Sequence, residues 1–267
     1  MPITRRNNTR MLGSQGPVLL STHGFGCSQK MWGRITPAFA DSPRQILFDC
    51  VGCGQSDLAA FDARRYASLN GYAQDVLDVC DAYGLISGVT FVGHSVSCSA
   101  GMLASIARPE LFERLVLIGP SPCFLNDPPH YMGGFEHEDL DGLLSLMDQN
   151  YIGWAHDMAP VVAGADGAGQ AASELSDSFC STESAVTRVF ARTTFFADNR
   201  ADLPRVTRPC LILQHGQDTL APLAVGEYRH AHLRGSTLQV LPVAGHCSHM
   251  THPQLVVDAM RSCFGGA

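Results

Sequence analysis

The sequence predicts an α/β protein with a mostly parallel central sheet flanked by helices. Short apolar runs of strand length alternate with segments of helical periodicity, and glycine-containing loops follow several of the runs. Such alternation is typical of parallel strands joined by right-handed crossovers. The 267 residues are enough for one domain with a large core and an inserted subdomain.

The strands and helices of this sheet can be placed along the chain. The predicted strands are residues 17–22, 45–49, 89–92, 115–119, 210–214 and 238–242. The predicted helices between and after them are residues 28–40, 72–83, 97–106, 221–233 and 253–264. In the first helix, an apolar face is expected from Met31, Trp32, Ile35 and Phe39.

The alternation stops between the fourth and fifth predicted strands. From residue 120 to about 202 there is no strong strand pattern, and apolar residues recur at helical spacings. We therefore expect a core formed by residues 1–119 and 203–267, with a lid of about four helices inserted at 120–202. Small residues from Gly164 to Gly169 predict a loop inside this insert.

The segment 89–97 carries the chemical motif around which the rest is arranged. A buried strand ends at Gly93, and the small and apolar residues from Ser97 onwards suit a helix packed on the sheet. Ser95 then stands at the corner, as in the nucleophile elbow G-x-S-x-G. Ser97 replaces the last glycine of the motif, but its side chain is also small. An incidental serine in a tight turn is the alternative.

Two later residues can complete a catalytic triad with Ser95. A serine nucleophile needs a base, and the base needs an orienting carboxylate. Asp218 and His246 each follow the carboxyl end of a predicted strand, in the chain order serine, acid, histidine. The alternatives are a helix cap for Asp218 and a turn residue for His246. His249 and His252 compete with His246 as the base, and metal ligation by these histidines would lack a third ligand at suitable spacing.

The remaining parts of a serine hydrolase site can also be assigned. The oxyanion of a tetrahedral intermediate needs two backbone N–H donors, which we expect from Val96 and from Phe25 in the loop after the first strand. An apolar and aromatic pocket would favour a small hydrophobic substrate. Its candidate lining residues are Phe25, His94, Phe124, Trp154 and Phe195.

Composition excludes several other classes of function. The net charge of −7 and the pI near 5.8 argue against a nucleic-acid partner or an anionic membrane surface. We see no signal peptide and no apolar stretch of transmembrane length, and expect a cytoplasmic protein whose ten cysteines are reduced. Cys50 and Cys53 lack a second pair for zinc, and the dinucleotide fingerprint is absent. We expect no metal and no cofactor.

Longer segments of the chain match a known family. They are GFGC at 24–27, LFD at 47–49, GYAQDV at 71–76, GHSV at 93–96, LASI at 103–106, RPELF at 108–112, GPSPCFLND at 119–127, YIGWA at 151–155 and HCSHM at 246–250. Over nearly its whole length, the sequence resembles the α/β-hydrolases that include the bacterial stress-response regulator RsbQ and the plant strigolactone and karrikin receptors. The resemblance implies the α/β-hydrolase fold with a four-helix lid.

The resemblance also implies roles for residues and partners. Ser95, Asp218 and His246 would be the triad, and Phe25 and Val96 the oxyanion hole. Members of this family hydrolyse small esters or butenolide lactones slowly and signal through a protein partner. The expected ligand is therefore a small hydrophobic ester or lactone, and a regulatory protein would bind through the lid.

Three functions remain open from the sequence. The first is a slow serine hydrolase that acts as a signal sensor. The second is a general detoxifying carboxylesterase without a partner. The third is a ligand-binding regulatory module whose catalysis is incidental. Dehalogenases and epoxide hydrolases of related design need an aspartate at the elbow, where this chain has Ser95.

Overall fold

A computed structural model describes residues 1–41, 43–165 and 169–265 of the protein. In this part of the chain, seven strands form one sheet in the order β1-β3-β2-β4-β5-β6-β7. β1 pairs antiparallel with β3, and every other pair is parallel. The strands are β1 (Arg10–Leu12), β2 (Val18–Thr22), β3 (Arg44–Phe48), β4 (Val89–His94), β5 (Phe112–Ile118), β6 (Cys210–Gln217) and β7 (Ser236–Ala244). The predicted fold class is confirmed.

The edge strand β1 was missing from the sequence-based prediction. It has three residues, two of them exposed, and pairs Arg10 with Leu47 and Leu12 with Gln45. A strand this short shows no measurable alternation of apolar and polar residues. Only its pairing with β3 identifies it.

The helices lie on both faces of the sheet. They are α1 (Ile3–Arg6), α2 (Leu69–Ala82), α3 (Val96–Ala107), α4 (His137–Gln149), α5 (Tyr151–Ala163), α6 (Gln170–Cys180), α7 (Ser184–Phe195), α8 (Leu223–His232), α9 (Ser248–Thr251) and α10 (Pro253–Gly265). No helix within the described ranges is long and apolar enough to cross a membrane.

The predicted helix over residues 28–40 is wrong. Two short 3-10 helices, Gln29–Arg34 and Thr36–Phe39, take its place. Pro37 prevents a continuous α-helix because it has no N–H and its ring would clash with the preceding turn. The expected apolar face is nevertheless buried, and its members are Met31, Trp32, Ile35 and Phe39.

Alternation along the strands divides the core into two layers. In β2, Leu19 packs on one face of the sheet, whereas Val18 and Leu20 pack on the other. The face of Val18 and Leu20 is covered by residues of α2 and α3. Leu19 belongs to the buried cluster that also contains residues of α10, of the two 3-10 helices and of helices α4 to α7. Because successive side chains point to opposite faces, continuous apolar strands can fill both layers.

Four helices, α4 to α7, lie between β5 and β6 in the described part of the chain. α5 packs against α4 and α6, and α7 packs against α4. Glu136 and Asp139 form a capping box at the start of α4, and the Asn150 side chain caps α5. The loop predicted at 164–169 includes residues 166–168, which lie outside the described residues. The boundaries 120 and 202 of the insert stay a prediction.

Candidate active site

Ser95 occupies a sharp turn between β4 and α3. Its backbone has φ 55° and ψ −124°, a left-handed conformation that residues other than glycine rarely adopt. The turn is fixed because the N–H of Ser95 donates to the carbonyl of Ile118 (2.9 Å), and its own carbonyl accepts from the N–H of Cys98 (2.9 Å). A strained residue held this firmly at a strand end is typical of a functional site.

Two small residues let the loop after β2 approach this turn. The hydroxyl of Ser97 donates to the carbonyl of His23 and so joins α3 to the end of β2. A Cβ at Gly24 would lie 2.5 Å from His94 Nδ1, so only glycine fits between the loop and the elbow. Serine at the last position of the elbow motif therefore makes a contact that glycine could not.

The carboxylate of Asp218 directly follows β6 and accepts four hydrogen bonds. Its Oδ1 accepts from the N–H groups of Leu220 (2.9 Å) and Ala221 (3.1 Å). Its Oδ2 accepts from Nδ1 of His246 (2.7 Å) and Nδ1 of His215 (2.8 Å). Burial alone would raise the pKa of Asp218, but its interactions with the two histidines outweigh burial and hold that pKa well below the usual range. The carboxylate is therefore ionised.

The imidazole of His246 is oriented from three sides. Its backbone N–H donates to the carbonyl of Val162 in α5 (2.8 Å), and its carbonyl accepts from Nε2 of His94 (2.9 Å). Its Nδ1 is engaged by Asp218. Within the described part of the chain, Nε2 of His246 has no hydrogen-bond partner. That nitrogen is left to exchange a proton with a substrate or a nucleophile.

A cavity brings Ser95 and His246 together with all five predicted pocket residues. They are Phe25, His94, Phe124, Trp154 and Phe195. The other lining residues are Cys27, Leu143, Met158, Val162, Phe179, Thr194, Leu220 and Cys247. No carboxylate, lysine or arginine is among the described lining residues. The cavity therefore suits an uncharged, apolar group.

Aromatic rings fix the wall of this cavity. The ring of Phe25 contacts those of Trp154 (centroids 6.2 Å apart) and Phe195 (5.6 Å), and Phe195 contacts Phe124 (5.3 Å). These edge-to-face arrangements are favourable ones for aromatic pairs. Because the rings belong to the loop after β2, to the segment after β5 and to helices α5 and α7, the wall joins the sheet to the inserted helices.

The two expected oxyanion donors lie on either side of the serine. Val96 is the first residue of α3, directly after Ser95, and Phe25 lies in the loop that packs on the elbow. No hydrogen bond among the described residues uses the N–H of Phe25 or of Val96. Both donors are therefore free for a substrate oxygen.

The competing histidines do not pair with the carboxylate. His249 is fully buried, and its ring packs at a tilt against those of His94 (centroids 4.4 Å apart) and Trp32 (4.9 Å). Its two ring nitrogens make no hydrogen bond within the described chain. The Nδ1 of His252 lies 2.9 Å from Oγ1 of Thr251 instead. Of the three candidate histidines, only His246 donates a hydrogen bond to Asp218.

Sequence reasoning missed several residues of the site. His215, which shares Asp218 with His246, was left unassigned although it stands three positions before the aspartate. Met158 and Phe179 are not among the predicted pocket residues, but they also line the cavity. Helical periodicity shows that such side chains face inward, whereas it does not show whether they meet another helix or a cavity.

One set of metal-binding residue types comes together in the described part of the chain. It consists of His215, Asp218 and His246, whose ligand atoms lie within 4.8 Å of one another. The distances of 2.7 and 2.8 Å from both imidazoles to one carboxylate oxygen are those of hydrogen bonds.

The ten cysteines are free thiols, and burial raises the pKa of Cys27, Cys50 and Cys98 to about 12.

Comparison with known proteins agrees with this architecture. The model of the alpha/beta hydrolase family matches residues 18–259. The chain is 40% identical to strigolactone esterase RMS3 of Pisum sativum over 261 residues, which are 97% of each protein. It is 37% identical to karrikin insensitive 2 receptor CA of Petunia hybrida over 259 residues, 97% of this chain and 95% of that one.

A solved structure is similar over the whole chain. The structure of a hydrolase from Oleispira antarctica superposes with a TM-score of 0.96 at 42% identity, and the match covers 99% of this chain and 97% of that one. Sequence family, relatives and fold thus give the same assignment: the chain belongs to the alpha/beta hydrolase family.

Proposed function

We propose that this protein hydrolyses small, uncharged, hydrophobic esters or lactones at Ser95, slowly enough to act as a sensor of its ligand. One observation carries the proposal. The buried pair of Asp218 and His246 leaves a free Nε2 in the same apolar cavity as the strained Ser95. A nucleophile, a base and an orienting carboxylate are the parts that acyl transfer requires.

The first half of the reaction acylates the serine. Oγ of Ser95 attacks the carbonyl carbon while Nε2 of His246 takes the hydroxyl proton, and Asp218 stabilises the resulting imidazolium. The N–H groups of Val96 and Phe25 bind the oxyanion of the tetrahedral intermediate. His246 then gives its proton to the departing alkoxide, and the carbon–oxygen bond to the leaving group breaks.

The second half releases the acid. Nε2 of His246 takes a proton from water, the hydroxide attacks the acyl-enzyme, and the ester bond to Ser95 breaks with return of the proton to Oγ. With a lactone, acylation of Ser95 opens the ring and the alcohol stays tethered to the acyl group, so deacylation by water releases a single hydroxy acid. The apolar and aromatic cavity holds the substrate through apolar contacts.

Sensing is supported by the relatives and by the helices above the cavity. Proteins named as a strigolactone esterase and a karrikin receptor are 40% and 37% identical over nearly the full chain. Helices α4 to α7, which we propose to be the lid, contribute Trp154 and Phe195 to the cavity. On their outer side Leu146 and Ile152 are 60% and 50% exposed, an apolar surface for a protein partner. A ligand that changes these helices would change the affinity for that partner.

The test follows products and intact-protein mass after mixing with p-nitrophenyl acetate and, separately, with a synthetic butenolide ester. We expect release of product from both, and a slowly decaying mass adduct with the butenolide. Ser95→Ala is the matched control. It should retain ligand-induced thermal stabilisation but lose product formation by about a thousandfold or more.

Each result decides between the functions. A lasting adduct with slow release supports the sensor. Rapid turnover of the simple ester without an adduct supports a general esterase. If the folded protein binds the butenolide but hydrolyses neither compound, the hydrolase proposal is wrong and a binding module remains.

A further inference from the structure

A second imidazole shares the carboxylate that orients His246. His215, at the end of β6, is fully buried and its Nδ1 lies 2.8 Å from Oδ2 of Asp218, the same oxygen that His246 contacts at 2.7 Å. The two backbone N–H groups of Leu220 and Ala221 occupy Oδ1. A carboxylate offers about four lone-pair sites, so all of them are filled.

The protons in this network can be assigned by elimination. An ionised carboxylate only accepts hydrogen bonds, so Nδ1 of both histidines must carry hydrogen. Burial is the main reason why the pKa of His215 is lowered, which keeps its ring neutral. A neutral ring protonated at Nδ1 has an acceptor at Nε2, and that nitrogen lies 2.8 Å from Oγ of Ser248. Ser248 therefore donates a hydrogen bond to Nε2 of His215, and Nδ1 of His215 donates one to Asp218.

Both imidazoles are confined by the same glycine. A Cβ at Gly119 would lie 3.0 Å from Cε1 of His215 and 3.1 Å from Cε1 of His246. The two rings are 6.1 Å apart and nearly perpendicular, with an angle of 81° between them. Gly119, with φ 57°, can adopt this turn and leaves room for two rings at the end of β5. A larger residue at this position would press on both rings.

Resting on the proposed function, we propose that His215 is a positioning residue of the active site: it holds the Asp218 carboxylate and takes up part of its negative charge. A carboxylate that serves two N–H donors through one oxygen attracts each donor less strongly than it would attract one alone. Asp218 then still orients the ring of His246. It does not stabilise the protonated ring so strongly that His246 fails to accept a proton at neutral pH. His215 itself touches neither the cavity nor the substrate carbonyl.

The other titratable groups around His246 do not supply this effect. His94 reaches it from β4, with ring centroids 4.9 Å apart, and uses Nε2 for the carbonyl of His246. His249 approaches from α9, and the thiol of Cys247 is adjacent in the chain. His252 faces His215 from the turn after α9. Among the described side chains, only His215 donates to Asp218 beside His246.

The first experiment compares pH–rate profiles of three variants on p-nitrophenyl acetate. His215→Leu removes the donor and keeps most of the volume. It should lower kcat about tenfold and move the acid limb of the profile upwards by about one pH unit, because the freed oxygen stabilises the imidazolium of His246 more strongly. In His215→Asn the amide nitrogen can replace Nδ1, so the acid limb should return to the wild-type position. Ser248→Ala leaves the Nδ1 donor in place and should not move it.

If the acid limb of His215→Leu coincides with that of wild type, the inference is overturned, whatever happens to kcat. A residue that only fills space does not move the acid limb. An upward move that His215→Asn fails to reverse would also overturn it. Circular dichroism and thermal unfolding establish that each variant is folded.

A second experiment needs neither turnover nor a folded variant of His215. In wild-type protein labelled with ¹⁵N-histidine, we expect the His215 ring to be neutral at pH 7 with its proton on Nδ1. The signal is identified by its change in Ser248→Ala. A proton on Nε2, or a charged ring, would refute the assignment. If wild type fails to hydrolyse either test compound, the proposed function fails, while this spectrum still decides the place of His215.

Discussion

Asp218 shows how one residue can fix the protonation of its neighbours. Its four hydrogen bonds leave the carboxylate ionised and force Nδ1 of His246 and of His215 to carry hydrogen. Nε2 of His246 is then the acceptor that faces the cavity of Ser95. At the scale of single residues, the proposed catalysis therefore depends on an acceptor-only group at this position.

Replacing that acceptor is expected to abolish most of the activity. In Asp218→Asn, an amide N–H₂ can donate to the ring and favour the wrong tautomer of His246. We expect kcat for p-nitrophenyl acetate to fall by about ten-thousandfold with little change in overall structure. Asp157→Asn, at an exposed position of α5, is the control and should match wild type. A loss below tenfold in Asp218→Asn would contradict the role of the carboxylate.

Phe195 is expected to limit the size of the substrate. Its ring packs between those of Phe25 and Phe124 in the wall of the cavity. Phe195→Ala should enlarge the cavity and raise the ratio of kcat/KM for p-nitrophenyl hexanoate to that for the acetate by about tenfold or more. Its cost in stability should be about 3 to 5 kcal/mol, measured by urea unfolding. An unchanged ratio in folded protein would show that substrates bind away from this wall.

At the scale of elements, the end of α5 is built into the loop that carries His246. The carbonyl of Val162 accepts from the N–H of His246 (2.8 Å), and Gly245 donates to the carbonyl of Gln217 (2.8 Å). A Cβ at Gly245 would lie 2.2 Å from the carbonyl oxygen of Ala163, and the φ of Gly245 is 86°. One of the inserted helices thus sets the position of His246, the proposed catalytic base, through the backbone.

Gly245→Ala should separate these two elements. The added methyl group meets backbone atoms, which cannot move aside like a flexible side chain, so the loop and α5 must shift apart. A displacement of His246 of about 1 Å would lower kcat by about a hundredfold. Gly142→Ala in α4, where a Cβ meets nothing within 4 Å, is the control and should keep full activity. Equal kcat values for the two variants would show that α5 does not set the position of His246.

At the scale of the whole molecule, four histidines are buried at the catalytic edge of the sheet in addition to His246. They are His23, His94, His215 and His249. Burial is the main cause of the lowered pKa of each ring. In the unfolded chain these rings take up protons near pH 6.5, whereas in the folded protein burial displaces their protonation to lower pH. Their contribution to stability is therefore complete above about pH 6.5 and is lost as the pH falls below it.

The free energy of unfolding is expected to decrease steeply below about pH 6.5. Each histidine should contribute a slope of about 1.4 kcal/mol per pH unit once the unfolded chain is protonated. Urea unfolding at several pH values between 7.5 and 5 measures this slope. His249→Leu removes one of the four rings and should reduce the slope by about 1.4 kcal/mol per unit. A free energy of unfolding that stays constant over this range would contradict the neutral, buried state of the rings.

Most strands and helices could be predicted from short stretches of sequence, because the spacing of apolar residues along a strand or helix is a local property. The runs 17–22 and 210–214 are apolar on both faces, as buried parallel strands must be, and both are found in the sheet. The short edge strand β1 could not be predicted in this way, because its conformation depends on pairing with β3. The break of the helix at Pro37 is by contrast a local signal, which the prediction of one helix over residues 28–40 overlooked.

The fold class, the elbow at Ser95 and the order of Ser95, Asp218 and His246 can be predicted from the amino-acid sequence alone, since each of these residues follows a recognisable strand. The contact of Asp218 with His246, and not with His249 or His252, depends on how the strands and helices pack, as does its second contact with His215. Hydrogen bonds between side chains depend on distances of a few tenths of an ångström. Such distances arise when β5, β6, β7 and α5 pack together, and no spacing along the chain encodes them.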